Sequence, residues 1–242
     1  MIWLATFVAC GRIGMDPRSE EVGPDASVDI DDPSELDPYL ASVMEDNPIA
    51  IWRFENDGAI AYPTIGVIEG NIQGTATYGI GRHGAGLVFD GRTTRIDLAG
   101  LGSLGAVEMW VRPAVDDDQV RFLFDTTPLG ERLSLYGADT FTIAQREATA
   151  MATDYAKAPS LQRDVFAHLV VTFDGTRTAL YVDGVRHVGM RGAGVTDASD
   201  VTVIGDTVAG SFYKFEGVID ELAAYATTLS AERVNVHFAA AR

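Results

Sequence analysis

From residue 49 onward, the chain consists of short apolar runs that alternate with polar positions and are separated by Gly, Asp and Pro. Strict alternation is typical of a β-strand with one buried face, because successive side chains point to opposite sides of the sheet. Many short strands with turn residues between them favour an all-β fold in which two antiparallel sheets pack face to face. The first predicted strands cover residues 49–55, 86–91, 94–100, 106–113, 120–126, 132–138 and 140–146.

The strongest hairpin signal lies in HLVVTFDGTRTALYVDGVRHVGM, residues 168–190. Predicted strands at 168–173 and 178–182 are joined by a polar turn, and the second of them runs into Asp183-Gly184. That dipeptide suits a type I′ turn, whose two central residues both need a positive φ. The segment therefore predicts a three-stranded antiparallel meander.

A last strand and a short helix are predicted at the C-terminal end. The strand covers residues 214–226, and Ser230 follows as a candidate N-cap for the helix, because its hydroxyl can accept a bond from the first turn. The apolar residues Val234, Val236 and Phe238 do not form one helical stripe. The helix is therefore expected to rest on the edge of the sandwich.

The first 48 residues have a different composition. They hold eleven acidic and two basic residues, a net charge of −9, and residues 11–48 are rich in Pro, Asp, Glu and Ser. Such a stretch has too little apolar area to offset the entropy cost of ordering, so it is predicted to be a largely disordered linker. Only residues 38–46, PYLASVMED, suggest a short helix against the folded part. The predicted domain is therefore residues 49–242.

The formal net charge of the chain is −17. Binding to a nucleic-acid backbone requires clustered cations, so nucleic acid is not an expected partner. The sequence has no run of 18 apolar residues, and no membrane-spanning helix is predicted. The protein is expected to be a monomer.

The single cysteine, Cys10, ends a short apolar run, MIWLATFVAC. This segment resembles a bacterial lipoprotein signal in which Phe7 to Cys10 form an imperfect lipobox, without a basic region ahead of it. The resemblance implies that residues 1–10 are a signal segment, that Cys10 is lipidated, and that the protein is anchored to a membrane outside the cytoplasm. Secretion without an anchor, and an ordinary apolar N-terminus with a free thiol, are the alternatives.

Several motifs along residues 49–242 occur in an order and spacing that resemble a known family. They are IAIWRFEN, GAGLVFDG, VEMWVRP, FAHLVVTFDGTRTALYVDGV, VIGD and FEGVIDELAAYATTLSAERV. The chain resembles the concanavalin A-like lectin/glucanase superfamily and, more narrowly, the laminin-G-like jelly-roll domains of secreted bacterial proteins. The resemblance implies two packed antiparallel sheets and a binding role. A fold alone does not establish a function, so each candidate site is judged by its own chemistry.

The stretch GIGRHGAGLVFDG contains Gly79-x-Gly81-x-x-Gly84, the spacing of a dinucleotide-binding loop. Such a loop must open a helix whose N–H groups face the pyrophosphate. Here a β-patterned run follows the glycines. The glycines are therefore predicted to allow a tight crossing between strands, not to hold a nucleotide.

Asp90 and Asp220 are the candidate metal ligands. Asp90 ends a predicted strand in VFDG, and Asp220 lies in GVIDEL near the last strand. The family resemblance implies that loops at these motifs hold a structural calcium ion, with Glu55 as a candidate third acid. Calcium takes about six to eight oxygen ligands, which carboxylates and carbonyls on converging loops supply. The alternative is that Asp90 caps a turn and Asp220 accepts a buried hydrogen bond from a loop backbone.

Hydrolysis is the rival function that the same resemblance implies. Glucanases of the superfamily place catalytic carboxylates on one face of a strand, and a retaining pair lies about 5–5.5 Å apart. Glu108 lies within a strong strand pattern, but its same-face neighbours are Trp110 and Arg112. Asp220 and Glu221 are adjacent, and a regular strand would point them to opposite faces. The sequence therefore favours a structural role for Glu108 over a catalytic one.

Phe212 and Tyr213, in AGSFYKFEG beside Lys214, are the candidate ligand contacts. Flat aromatic rings stack on the C–H faces of sugars while neighbouring polar groups fix the orientation. Packing against the last strand is the alternative role for these rings. The sequence predicts a noncatalytic recognition domain that binds carbohydrate or a protein surface outside the cytoplasm. The alternatives are a glycoside hydrolase or lyase of the same superfamily, or a purely structural adhesion module.

Overall fold

The computed structural model describes residues 37–115, 119–126, 133–138, 141–149, 152–173, 177–188, 199–210 and 213–242. Residues Asp37–Arg242 belong to one compact unit. Within the described ranges, no helix has the length and apolar character needed to cross a membrane.

Sixteen strands in the described ranges form two antiparallel sheets, with a helix at each end of the unit. Sheet A contains β1 (Ala50–Trp52), β4 (Thr77–Ile80), β5 (Ala85–Asp90), β7 (Ala106–Pro113), β12 (Ala167–Phe173), β13 (Thr178–Val182), β14 (Val185–Val188) and β16 (Glu216–Tyr225). Sheet B contains β2 (Ile60–Ala61), β3 (Gly70–Gln73), β6 (Arg95–Gly102), β8 (Arg121–Thr126), β9 (Leu133–Ala138), β10 (Phe141–Thr149), β11 (Ala152–Ala158) and β15 (Ser199–Ile204). The helices are α1 (Pro38–Met44) and α2 (Ala231–Ala240).

The strand order interleaves distant parts of the chain. Sheet A runs β14-β13-β12-β7-β16-β5-β4, with β1 also paired to β16, and sheet B runs β11-β10-β9-β8-β15-β6-β3-β2. Strands β7 and β16 therefore lie in the middle of sheet A, although more than a hundred residues separate them. The predicted two-sheet antiparallel sandwich with a short C-terminal helix is confirmed.

The hydrophobic core lies between the two sheets. On β7, alternate residues Val107, Met109 and Val111 face this core, while Trp52 joins it from β1. Sheet B contributes Ile96 from β6, among others. The other face of β7 carries Glu108, Trp110 and Arg112, so the alternation seen in the sequence separates an apolar inner face from a polar outer face.

The hairpin prediction is confirmed at Asp183-Gly184. Both residues have a positive φ, +50° and +78°, and the flanking Val182 and Val185 are paired across the turn. These are the backbone angles that a type I′ turn requires.

The folded unit begins at Asp37 and not at residue 49, because the predicted short helix is part of it. The Asp37 side chain caps α1 by accepting a hydrogen bond of 2.8 Å from the Leu40 N–H. Tyr39, Leu40 and Val43 of this helix are all buried. Burial of three large apolar side chains stabilises the docked helix, so α1 belongs to the domain.

The predicted position of the C-terminal helix is wrong. Helix α2 lies over the outer face of sheet A and not on the sandwich edge: Phe238 stacks on Trp110 with a centroid distance of 6.1 Å, and His237 reaches Glu108. Both partners belong to β7, in the middle of the sheet. The apolar stripe is incomplete because α2 contacts a polar surface, and its buried residues are Val234 and His237.

Strand β16 is also irregular where a regular strand was assumed. Its register with β7 shifts between Asp220 and Ala223, and Glu221 has a φ of +50°. Between these pairs, two residues of β16 lie opposite a single residue of β7, and this β-bulge breaks the strict alternation of side chains. Asp220 and Glu221 are consequently both buried.

Candidate functional site

The predicted ligand contact Tyr213 lies on the surface, in the connection between β15 and β16. Its side chain is 48% exposed, and its ring lies 6.4 Å from that of Phe122, at an interplanar angle of 50°. The Phe122 N–H donates to the Tyr213 carbonyl oxygen at 2.8 Å. This hydrogen bond holds the Tyr213 backbone beside the start of β8, an interior strand of sheet B.

Charged side chains next to Tyr213 and Phe122 in the sequence are held in place by the protein. Lys214 forms an ion pair with the buried carboxylate of Asp206, and Arg95 approaches the same carboxylate at 3.6 Å. Arg121 donates to the Lys214 carbonyl oxygen at 3.1 Å. Lys214 and Arg121, which follow Tyr213 and precede Phe122 in the sequence, are thus held in place before any ligand arrives.

A second buried carboxylate anchors the same connection. Asp125 of β8 is buried and accepts a hydrogen bond of 3.0 Å from the Val208 N–H. The Gly205 N–H donates to Leu123, and Phe215 closes the connection by donating to Gly205. An exposed aromatic ring on such an anchored loop has little conformational entropy left to lose when it binds a ligand. This favours recognition of a flat apolar surface. We call the surface formed by Tyr213, Phe122, Lys214 and Arg121 the Tyr213 surface.

Two residues that the sequence pattern singled out are not among those that the structure describes. Phe212, predicted to contact the ligand with Tyr213, and Cys10, predicted to be lipidated, lie outside the described residues. Both remain predictions.

Asp90 caps the turn that follows β5. Its Oδ1 accepts hydrogen bonds from the backbone N–H groups of Arg92, Thr93 and Thr94 at 2.7–2.9 Å, and its Oδ2 accepts from the Thr93 hydroxyl at 2.5 Å. Although partial burial acts in the opposite direction, these donors lower the pKa of Asp90 well below 3.8. This is the turn-capping role that the sequence left open as an alternative.

Asp220 holds the glycine-containing hairpin between β4 and β5. Its Oδ2 accepts from the backbone N–H groups of Arg82 and His83 at 2.6 and 3.0 Å. A Cβ at Gly81 would collide with this carboxylate, which explains the glycine there. The N–H groups of this loop do donate to an acidic group, but that group is a carboxyl side chain of the same protein. Burial raises the pKa of Asp220 to about 7.

Glu55 clamps the same hairpin from the other end. Its Oε2 accepts from the Ala85 N–H at 3.0 Å, and a Cβ at Gly84, where φ is +57°, would overlap its carboxylate. The dinucleotide-like spacing of Gly81 and Gly84 is therefore explained by two carboxylates that approach the backbone closely.

Asp90 and Asp220 do not converge on one point. Asp90 pairs with Glu216 at the start of β16, and Asp220 lies four residues further along that strand, about 13 Å away at roughly 3.3 Å per residue. Across the described ranges, no group of three or more His, Cys, Asp or Glu side chains is arranged to hold a metal ion. The residues present do not fit a shared calcium ion, and calcium binding stays a prediction from the family resemblance.

Glu108, the acid considered for hydrolysis, lies at the centre of a buried hydrogen-bond network. Its Oε1 accepts from the Tyr39 hydroxyl at 3.0 Å and contacts His168 Nε2 at 2.7 Å. Its Oε2 accepts from the Tyr225 hydroxyl at 2.8 Å and contacts His237 Nδ1 at 2.9 Å. The side chain is inaccessible to solvent. We call these five residues the Glu108 network.

The buried carboxylate of Glu108 is paired with the imidazole rings of His168 and His237. Burial opposes ionisation, but hydrogen bonds from His168 and His237 hold the pKa of Glu108 well below 4.5. Burial likewise opposes the charge on His237, yet Glu108 and Asp46, the latter 2.8 Å from Nε2, raise the pKa of His237 above 6.5. The carboxylate is ionised and enclosed, so it joins α1 and α2 to sheet A.

The sequence held one unrecognised signal for this network. His168 and Glu108 both occupy outward positions of predicted strands, where polar residues are expected to meet solvent. Tyr39 and His237 lie in the two helices that cover them. The sequence pattern placed α2 on the sandwich edge. That prediction separated His237 from Glu108, so the network was not recognised.

Two stacked antiparallel sheets, whose strands come from distant parts of the chain, are consistent with a jelly-roll sandwich. The family model described as the concanavalin A-like lectin/glucanases superfamily, of the laminin-G type, matches residues 91–235, which is more than half of the chain. The chain belongs to this superfamily. Among curated proteins, none matches it in sequence.

Solved structures of similar fold include carbohydrate-binding and receptor-binding domains. Domain 4 of AbnA, a GH43 extracellular arabinanase from Geobacillus stearothermophilus, was solved with arabinotriose and has a TM-score of 0.64 at 20% identity, covering 78% of this chain and 96% of that one. The binding domain of botulinum neurotoxin DC, solved with rat synaptotagmin II, has a TM-score of 0.64 at 11% identity, covering 83% of this chain and 52% of that one.

A structure of botulinum neurotoxin type C, whose cell entry depends on interaction with two ganglioside molecules, has a TM-score of 0.64 at 12% identity. It covers 84% of this chain and 53% of that one, so this chain spans about half the length of the toxin structures. At these identities the likeness shows the fold alone.

Proposed function

We propose that this protein is a noncatalytic carbohydrate-recognition domain that binds its ligand at the Tyr213 surface. The observation that carries the proposal is the half-exposed Tyr213 ring beside Phe122, whose sequence neighbours Lys214 and Arg121 are held in place by the protein. An amphipathic ring of this kind stacks on the C–H face of a sugar, and neighbouring charged and backbone groups bond its hydroxyls. A preformed site of this kind binds without a large ordering cost.

The fold of solved relatives supports a recognition role. Domain 4 of the arabinanase AbnA was solved with arabinotriose, and entry of botulinum neurotoxin type C depends on gangliosides. Both ligands contain sugars, although the sequence identities are too low to transfer a site. These two cases support a carbohydrate ligand for this chain, and the Tyr213 surface offers an aromatic ring that suits one.

The absence of catalysis is part of the proposal. The hydrolase hypothesis requires accessible acids on the strands of sheet A. Within the described strands, Glu108 and Asp220 are both inaccessible to solvent. Each is engaged by several hydrogen-bond donors. A glycosidase needs a carboxylic acid and a second carboxylate that both reach the scissile bond, which these enclosed groups do not do.

The proposal includes an extracytoplasmic location, because the arabinanase that contributes a domain of this fold is extracellular. Membrane attachment through Cys10, and the acidic residues 11–36 as a tether, complete the proposal. Labelling with a radioactive fatty acid, compared between the full chain and Cys10→Ala, tests the anchor separately from ligand binding.

The experiment that tests the function is a polysaccharide panel. The full chain is run by affinity electrophoresis through gels that each contain one neutral plant or bacterial polysaccharide, and each polysaccharide is also incubated with the protein and assayed for new reducing ends. We expect retardation by at least one polysaccharide and no release of reducing ends. Efficient turnover would contradict the noncatalytic assignment, and the absence of retardation in every gel would contradict the carbohydrate assignment.

A further inference from the structure

The outer face of sheet A is only partly covered by the helices. The rows of side chains at Glu108 and Trp110 lie beneath α1 and α2, where Phe238 stacks on Trp110. The next row toward the end of β7, at Arg112, lines a cleft of about 430 Å³. That volume falls within the range of small-molecule sites, roughly 300–1,000 Å³.

Cross-strand pairing builds the floor of this cleft. Val88 of β5 pairs with Val218 of β16, and Val218 pairs with Arg112 of β7, so these three side chains form one row across the sheet. The Arg112 guanidinium lies 5.0 Å from the centre of the Phe166 ring, just before β12. The floor thus combines a short apolar strip with a cation that is braced by an aromatic ring.

The acids that line the cleft have partners of their own. Asp90 is engaged by the turn that follows it, Glu216 lies 3.8 Å from Arg121, and Asp164 lies 3.2 Å from Arg163. Arg112 is different, because within the described part of the chain its guanidinium has neither an ion pair nor a hydrogen bond. A cation left without a carboxylate, in a protein whose net charge is −17, indicates that the missing partner comes from outside.

We propose that this cleft is a second binding site, which takes a monosaccharide-sized ligand bearing a carboxylate, that is, a uronic acid unit. The carboxylate pairs with the Arg112 guanidinium, whose planar fork suits two parallel hydrogen bonds. The apolar face of the sugar ring lies on Val88 and Val218, and its hydroxyl groups donate to Glu216 and Asp164. The cleft adjoins the Tyr213 surface through the Glu216–Arg121 contact, but its floor and Arg112 lie on sheet A, whereas Phe122 lies on sheet B.

The test uses isothermal titration of the full chain with sodium glucuronate, and with its methyl ester as the uncharged control. We expect saturable binding of glucuronate and at least tenfold weaker binding of the ester. Arg112→Gln is expected to weaken glucuronate binding by about tenfold or more, since a charge-assisted pair is lost, and Arg112→Lys is expected to give an intermediate loss. Arg186→Gln removes the same charge from β14 of the same sheet and serves as the matched control.

Three results would overturn the proposal: no saturable binding of glucuronate, equal binding of the ester, or unchanged binding by Arg112→Gln. If Arg112→Gln fails to fold, Arg112→Lys decides, because it keeps the charge and the aliphatic stem but not the planar fork. Tyr213→Ala is expected to leave glucuronate binding unchanged. If Tyr213→Ala abolishes glucuronate binding and Arg112→Gln does not, the uronic acid binds at the Tyr213 surface and the cleft is refuted. This outcome does not depend on whether the polysaccharide panel supports the proposed function.

Discussion

His237 Nδ1 lies 2.9 Å from the Glu108 carboxylate, so the C-terminal helix is bonded directly to the central strand of sheet A. Tyr39 brings α1 to the same carboxylate from the opposite end of the chain. The buried Glu108 carboxylate therefore binds both helices to the same face of sheet A. The stability of the domain thus depends on this carboxylate, whether or not a ligand is bound.

Removing one hydroxyl from the Glu108 network should cost far more than removing one from the surface. Tyr225→Phe deletes a buried hydrogen bond to an ionised acceptor, and we expect it to lower the free energy of unfolding by about 1–3 kcal/mol. Tyr78→Phe deletes an exposed hydrogen bond to the Gly58 carbonyl and is the matched control, with an expected change below about 0.5 kcal/mol. Urea unfolding of both variants measures the difference. Equal losses would show that the network does not contribute as described.

Deleting α1 should destabilise the whole domain. A chain of residues 47–242 lacks the buried residues Tyr39, Leu40 and Val43, and it also lacks Asp46, which contacts His237. We expect its melting temperature to fall by about 10 °C or more relative to residues 37–242, because several kcal/mol of apolar burial are lost. Melting temperatures that agree within error would mean that α1 is not part of the folded unit.

Two buried groups predict that stability falls as the pH rises from mildly acidic to alkaline values. The folded-state pKa of His237 is raised above 6.5, so its contribution is complete below 6.5 and is lost as the pH rises through the folded value. The folded-state pKa of Asp220 is raised from 3.8 to about 7, so ionising it in the folded protein reduces stability between those values. Melting curves from pH 5 to 9 should show a decline, and Asp220→Asn should make that decline shallower.

Glu108 gives the opposite slope in acid. Its folded-state pKa is lowered well below 4.5, so its stabilisation is present above 4.5 and is lost as the pH falls below that value. The melting temperature should therefore be highest in mildly acidic solution, at about pH 5–6. A maximum above pH 8 would contradict the assigned charge states of both His237 and Glu108.

The glycine at position 84 should be required by a neighbouring side chain as well as by its backbone angle. Gly84 and Gly102 have similar positive φ values, +57° and +71°, but only at Gly84 would a Cβ meet the Glu55 carboxylate. Alanine at either position carries the φ penalty of about 1 kcal/mol, and Gly84→Ala should lose more. Adding Glu55→Ala should recover part of the loss in Gly84→Ala and none in Gly102→Ala. Equal losses in the two single variants would remove this explanation of the glycine motif.

Much of the fold could be predicted because its strands follow simple alternation. The predicted strand 106–113 coincides with β7, and Asp183-Gly184 announces its hairpin through turn chemistry. Strands without that pattern were not predicted. Strand β3, for example, has the sequence GNIQ, which has little β-propensity, and it forms because Gly70–Gln73 pair with β6. Such strands are set by tertiary pairing, which a single sequence does not display.

The candidate sites divide along the same line. Tyr213 could be proposed from its neighbours in sequence, because an aromatic residue in a Gly-, Ser- and Lys-containing loop is recognisable locally. The roles of Asp220 and Glu108 could not, since their partners Arg82 and His237 lie more than a hundred residues away. The bulge at Glu221 further broke the alternation on which the two-face argument relied.

The central claim is that Tyr213 contacts a carbohydrate, and one comparison tests it most directly. Tyr213→Ala and Tyr62→Ala each remove a tyrosine that is about half exposed, 48% and 49%, from different parts of the surface. With the polysaccharide that retards the full chain most strongly, we expect Tyr213→Ala to raise the dissociation constant by roughly tenfold or more and Tyr62→Ala to leave it within about twofold. Both variants should keep the wild-type melting temperature within a few degrees. A dissociation constant unchanged by Tyr213→Ala, or raised equally by Tyr62→Ala, would contradict the assignment of this surface.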